Sequence, residues 1–453
     1  VFTDVLSERS KADASSFVSS FFTLSFIILV ILTVLGIVFS ATLVELMAPG
    51  FMEQGEKGAL TITLTRYMFP FMIFISLMAI GMGVLNTLRH FTAPAVSPIF
   101  FNISIILSAI FLAGHFVEPV YSLVIGVLIG GAAQFALQLP FMASRGFLPK
   151  PSFIFNDPAI KRIFKLMGPA VLGIGVFQLN IFITMRFAST LPEGSVSYLY
   201  YASRLMELPL GVFAVAISVA ALPRLSEYAS KGEDENFKNS LSVAVRLSNF
   251  LTFPATIGLV VLSFVSIDIL FARGAFGPTD TENTAFALYF YAIGIVPVAL
   301  TRILISVYYA FKDTVTPVII AIGVLVVNIV LCLALMGPLG HGGLALANTG
   351  AALFNFVALM VMLRRKSSVV RFSEFLPQIF KVFVASILMG LVVYALLNML
   401  SWEVYSTLVK LVVLVLLISI GSVTYFILCR VMKVEEVTVL RDIFAAKIGK
   451  KRQ

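Results

Sequence analysis

Twelve runs of mostly apolar residues follow one another along the chain, at roughly 16–44, 60–88, 94–116, 120–143, 160–189, 196–222, 240–270, 284–310, 316–336, 342–363, 374–400 and 405–430. Each is close to or above the ~20 residues that a helix needs to cross a bilayer, so each reads as a membrane-spanning helix. The connections are short and hold turn formers, such as Ala48-Pro49-Gly50, Leu191-Pro192-Glu193-Gly194, Gly277-Pro278-Thr279-Asp280 and Gly337-Pro338-Leu339-Gly340. Only 144–159, 224–239 and the tail from 431 are longer, and all three carry Lys or Arg. Almost nothing remains for a soluble domain.

Composition agrees with the pattern. The 453 residues are 59% hydrophobic and 12% charged, half the ~25% charged share of a soluble domain, which excludes soluble enzymes. Cys332 and Cys429 lie in apolar runs, so disulfides, zinc fingers and thiol chemistry have no support. A net charge of +9 would suggest nucleic acid in a soluble protein. Placing residues 1–13 in the cytoplasm and alternating puts 23 of the Lys and Arg residues on the inner side, against Lys57 and Arg273 on the outer side. That asymmetry accounts for the charge without nucleic acid and makes membrane lipids the surroundings. The tail from Lys433 mixes charge with Leu440, Ile443, Phe444 and Ile448 and reads as an amphipathic helix over anionic headgroups.

An internal repeat appears at one offset of 223 residues, which carries Thr3-Asp4 onto Ser226-Glu227, Glu45 onto Asp268, Arg89 onto Lys312 and Pro94 onto Pro317. The two helices at 160–222 would have counterparts ahead of Val1. The expected fold is therefore an all-α polytopic membrane protein. It has two six-helix lobes related by an axis along the membrane normal plus two C-terminal helices, with the first two helices absent from this chain. The expected domains are 1–158 (four helices of the N-terminal lobe), 159–366 (six helices of the C-terminal lobe), 367–432 (the final pair) and 433–453 (a basic cytoplasmic tail).

Chemistry is sparse. His90, His115 and His341 stand at loops with no ligand partner at helical spacing, and the acids sit mostly at helix ends, so neither a metal nor paired carboxylates are expected. Cations within apolar segments are different, because each costs at least ~2.5 kcal/mol to insert and marks a candidate site. Arg204 lies about nine residues into its segment, with Glu207 on the same face and Pro209 beyond to bend the helix. The competing reading is an Arg–Glu pair that closes two helices. Arg302 follows the kinking Pro297, and Arg66 precedes Pro70 near an outer end, where snorkelling competes. Arg186, Arg246, Lys381 and Lys410 lie within two turns of an interface and read as interfacial. Asn86, Asn102, Gln178, Asn180 and Asn328 fit hydrogen bonds between helices as well as ligand contacts, and Tyr200-Tyr201 fits packing or an interfacial belt.

Several stretches carry a resemblance: Met167-Gly168-Pro169-Ala170, Tyr200-Tyr201-Ala202-Ser203-Arg204-Leu205-Met206-Glu207-Leu208-Pro209, Leu222-Pro223-Arg224-Leu225-Ser226 and Phe271-Ala272-Arg273-Gly274-Ala275-Phe276, with Phe69-Pro70, Leu85-Asn86-Thr87 and Thr316-Pro317. In order and spacing the chain resembles the MurJ (MviN) family of lipid II flippases, in the multidrug/oligosaccharidyl-lipid/polysaccharide exporter superfamily. The resemblance implies a transporter, not an enzyme, without cofactor, monomeric, in the bacterial cytoplasmic membrane. It would move the lipid-linked peptidoglycan precursor lipid II to the outer leaflet by alternating access. Arg204 matches the family's cavity arginine, and Arg302, Arg66, Glu207 and Asn86 complete the expected substrate site. The helices at 374–400 and 405–430 would form the groove for the polyprenyl tail. Ser203 stands where the family often has Asp, and Met185 and Cys332 stand where some members have sodium-binding acids, with Asn328 retained. Another exporter of the superfamily, or a polytopic cell-wall glycosyltransferase, remains as an alternative; the first would favour buried carboxylates and the second a long outer loop.

Overall fold

The structure, a computed structural model, describes residues 1–366 and 376–438. Every regular element among them is helical: α1 (Phe2–Glu8), α2 (Lys11–Val38), α3 (Ser40–Met47), α4 (Pro49–Met52), α5 (Glu56–Met68), α6 (Phe71–Thr87), α7 (Thr92–Leu112), α8 (Val120–Ala143), α9 (Pro158–Ser189), α10 (Ser195–Pro209), α11 (Ala216–Lys231), α12 (Asp234–Val261), α13 (Ser263–Phe271), α14 (Pro278–Ile293), α15 (Ile295–Ala310), α16 (Val315–Lys366), α17 (Leu376–Asn398) and α18 (Thr407–Val431), with short 3₁₀ turns and a π segment at Leu210–Val215. Nine of these stretches among the described residues are long and apolar enough to cross a membrane, ten when the bent pair α14–α15 counts as one span.

The breaks follow from residue chemistry. Pro70, which lacks an N–H, separates α5 from α6. Gly340 divides the 52 residues of α16, because its φ of 55° and ψ of −133° suit only a residue without Cβ. Its two limbs correspond to the runs expected at 316–336 and 342–363. The run expected at 160–189 lies in α9, and each of the twelve runs overlaps a helix.

The offset of 223 residues recurs in the helix bounds. α2 and α12 are both 28 residues long and begin at Lys11 and Asp234. Both then break at one residue of similar geometry, Phe39 (φ −90°, ψ 12°) and Leu262 (φ −97°, ψ 14°), before α3 and α13 resume at Ser40 and Ser263.

The chain forms two compact units, Val1–Gly175 and Val176–Gln453, whose boundary falls inside α9. In the first, α7 and α8 pack closely across Gly126 and Gly130, where an added Cβ would stand 2.8 Å from Ile105 Cα and 2.9 Å from the Phe101 ring. Without a hydrophobic drive between helices in lipid, such close backbone approach supplies the attraction. The outer face of α7 carries Ile99, Ile103, Ile106 and Ile110, all exposed as lipid contact requires. At the end expected inside, the Arg9 guanidinium binds Asp157 through two hydrogen bonds of 2.7 and 3.1 Å, and Asp157 also accepts the Ala159 amide that opens α9. Arg9 first, then that amide, hold the Asp157 carboxyl below the usual carboxylate range against the effect of burial.

In the second unit α12 packs on α17, and α11 on α15. Leu225, Phe237, Leu241, Ile303 and Val307 form its main core, and the Tyr308 hydroxyl donates to the Leu359 carbonyl at 2.8 Å. The start of the tail differs from the expected surface helix. Val434 and Glu436 are buried against the final helices, because Arg246 of α12 pairs with Glu435 at 2.6 Å and Glu436 at 3.3 Å. Residues 439–453, where the rest of that helix was expected, lie outside the described residues.

Candidate functional site

Arg204 stands in the middle of α10 with a partner on either side along one helix face. Its Nη1 donates to Glu207 Oε2 at 2.9 Å and its Nη2 to the Tyr200 hydroxyl at 3.3 Å, while the guanidinium lies 4.7 Å from the Tyr200 ring centroid. The two charged side chains are 54% and 60% exposed. A pair so open adds at most ~1 kcal/mol of stability, so its effect is to aim the guanidinium rather than to hold the fold. Tyr200 was open to a packing role on sequence; the i, i+4 spacing to Arg204 was the available signal for this one.

The exposed face of Arg204 runs on through Leu208, Val212, Val215 and Val219. Pro209 precedes the π segment Leu210–Val215, so the bend expected from this proline takes the form of a widened turn. Val215 and Val219 also wall a cavity of about 240 Å³ with Ser218, Leu222, Ser306 and Arg302. Ser218 Oγ donates to the Arg302 carbonyl at 3.1 Å, which ties α11 to α15 and leaves the guanidinium exposed. Arg204 and Arg302 therefore open to the same side of the second unit, about four helical turns or ~21 Å apart along the axis.

The first unit keeps its two candidates apart. Arg66 donates through Nε to Ser40 Oγ at 2.8 Å and is exposed. Asn86 is exposed near the end of α6, with no side-chain hydrogen bond among the described residues, twenty positions along, or ~30 Å at helical rise.

In the second unit, α10 also contributes Leu205, Leu208 and Pro209 to an apolar groove of about 490 Å³, completed by α12, α13, α17 and α18 through residues such as Pro254, Gly258, Met389, Leu414 and Tyr425. The final helix pair thus supplies only part of the groove. Lys410 of α18 and Trp402 Nε1 both donate to Asp268 Oδ2 of α13, at 2.8 and 2.9 Å, which fixes the pair beside it. Lys410 is accordingly structural. Asn328 is buried, with Nδ2 at 3.4 Å from Thr184 Oγ1 and Oδ1 at 3.7 Å from Cys332 Sγ. Among the described residues no three His, Cys, Asp or Glu side chains group as a metal site.

Comparison with known proteins gives the family. Residues 1–413 match the family model described as lipid II flippase MurJ. A probable lipid II flippase MurJ of Bdellovibrio bacteriovorus is 34% identical over 97% of this chain and 84% of its own length. The lipid II flippase MurJ of Burkholderia cenocepacia is 35% identical over 75% of this chain and 66% of its own. Among solved structures, a lipid II flippase MurJ in an inward closed conformation superposes with a TM-score of 0.78 at 28% identity, over 95% of this chain and 86% of that one. An inward-facing multidrug transporter of the MATE family aligns with a TM-score of 0.66 at 15% identity, over 81% and 85%, and shares the fold. The family match spans both compact units, and the chain belongs to the MurJ family of lipid II flippases.

Proposed function

We propose that the protein moves lipid II, a polyprenyl diphosphate-linked disaccharide-pentapeptide, from the inner to the outer leaflet of the bacterial cytoplasmic membrane by alternating access. The observation that carries this reading is the division of labour on α10, with a half-exposed arginine on one face and the wall of an apolar groove on the next. An amphiphile with an anionic head and a long apolar tail needs that adjacency. Arg204 and Arg302 receive the diphosphate, because arginine stays charged in a low-dielectric cavity and binds phosphate oxygens in pairs. Glu207 and Tyr200 orient Arg204. Within the first unit, Arg66 and Asn86 are polar groups of their own for the substrate, and the tail lies in the groove of the second unit.

A diphosphate carries about two negative charges, and each gains ~2.3 kcal/mol per 100 mV on moving outward from a negative interior. The membrane potential accordingly biases transport, so valinomycin with potassium should stop it whereas nigericin should not. The test of the site is complementation of a flippase-depleted strain. Arg204→Ala should abolish growth and Arg204→Lys should restore little of it, both at normal membrane abundance. Growth with Arg204→Ala would leave the arginine no role in transport.

A further inference from the structure

A second cavity, of about 500 Å³, opens at the end of the second unit where α10 and α14 begin. It belongs to neither the arginine face nor the apolar groove. Its walls include Ser197, Tyr198, Tyr201, Phe271, Arg273 and Asp280. The charge pattern assigns this end to the outer side, where Arg273 is one of only two basic residues against 23 inside. Topology disfavours a cation there, so its presence calls for a local reason.

We infer that this cavity is a saccharide site, which binds a short hexosamine oligosaccharide at the outer face. Tyr201 packs 4.8 Å from Phe271 and 5.6 Å from Phe276, centroid to centroid, and the three rings make an aromatic corner against which the C–H face of a pyranose can lie. Polar groups converge beside it with capacity to spare. Arg273 spends one N–H on the Leu270 carbonyl and keeps the remainder of its five donors. Asp280 accepts the Tyr198 hydroxyl through Oδ1 and the Gly277 amide through Oδ2, both at 2.8 Å, which fixes the carboxylate and leaves a lone pair on each oxygen. Ser197 and Tyr201 add their hydroxyls to the cavity wall.

A fixed acid beside a cation disfavours a simple anion, whereas ring hydroxyls and acetamido groups both donate and accept. The volume also falls within the ~300–1,000 Å³ of small-molecule sites. The further step, that the saccharide is the headgroup of the exported lipid held after crossing, rests on the function proposed above.

Saturation-transfer NMR on the protein in lipid nanodiscs, with the lipid-free N-acetylglucosamine–N-acetylmuramic acid disaccharide at millimolar concentration, tests the site. The sugar ring protons should receive saturation. Ser197→Trp, which fills the cavity from an exposed position, and Arg273→Gln should each weaken binding at least ~10-fold. Absence of saturation in the wild type, or saturation unchanged in Ser197→Trp, would overturn the site. Lipid II binding, followed in parallel by native mass spectrometry, separates the two readings. If lipid II fails to bind while the disaccharide still depends on Ser197 and Arg273, the saccharide site stands and the headgroup assignment falls.

Discussion

Arg89 and Lys312, 223 positions apart, both adopt the left-handed conformation, with φ of 56° and 58°. Each ends a helix through the same pair of bonds: the amides of Arg89 and His90 reach the Asn86 and Leu85 carbonyls, and those of Lys312 and Asp313 reach the Tyr309 and Tyr308 carbonyls. Glycine usually fills this position, and a residue with Cβ costs ~1–2 kcal/mol there. The cation at an inner helix C-terminus recovers part of that through the dipole and the positive-inside bias. Lys312→Gly should therefore raise thermal stability relative to Lys312→Ala by ~1 kcal/mol, and Arg89→Gly should do the same relative to Arg89→Ala, as read by the unfolding midpoint in detergent.

Two glycines near the groove separate space from stability. A Cβ at Gly258, which lines the groove, meets nothing within 4 Å, whereas one at Gly390 would stand 2.3 Å from Ile257 Cγ2. Gly258→Leu should leave the unfolding midpoint near that of the wild type but block the groove, with loss of complementation. Gly390→Ala should lower stability by ~1–3 kcal/mol through overpacking of α17 on α12. A Gly258→Leu protein that supports normal growth would remove the groove from the transport cycle.

The Lys410–Asp268 pair is only 18% and 16% exposed, so it should be worth more than a surface pair. A double-mutant cycle with Lys410→Met and Asp268→Asn should give a coupling of ~1–3 kcal/mol. Asp268→Asn alone should cost more stability than Glu207→Gln, whose partner is exposed. Equal costs would count against the tie.

At Asp157 the sign of the pH effect follows from its lowered pKa. The contribution of the Arg9–Asp157 tie is complete above the unfolded carboxylate value, ~3.9. It is lost only as the pH falls through the lower, folded value. Hydrogen exchange of residues 1–13 and 157–162 should be unchanged between neutral and mildly acidic pH and should rise only in stronger acid. In Asp157→Asn it should be raised at every pH.

Much of the fold could be read from the chain because apolar run length and a fixed offset are local or periodic signals. The repeat carries even the break at Phe39 onto that at Leu262. The pairing of Arg204 with Glu207 was legible from three-residue spacing on one helix face. What escaped was long-range. Asp268 finds Lys410 142 residues away, and Arg246 finds Glu435 189 residues away, so Arg246 read as interfacial and the tail as a surface helix over headgroups. The saccharide cavity joins the start of α10 to the segment 271–280; Phe271, Arg273 and Phe276 stand together in the sequence, but nothing local paired them with Ser197 and Tyr201. Asn86 and Arg66 looked alike as polar interruptions, yet helical rise sets them far apart.

The π segment after Pro209 has a mechanical consequence for the arginine ahead of it. A π turn holds one residue more than an α turn, and an α-helix turns ~100° and rises ~1.5 Å per residue. Arg204 lies six positions before Leu210. Passage of the surplus residue back through that stretch would rotate the guanidinium by about a quarter-turn, from the open face toward the flank held by Leu205. Such a step would redirect one charge without unwinding a turn or displacing a whole domain.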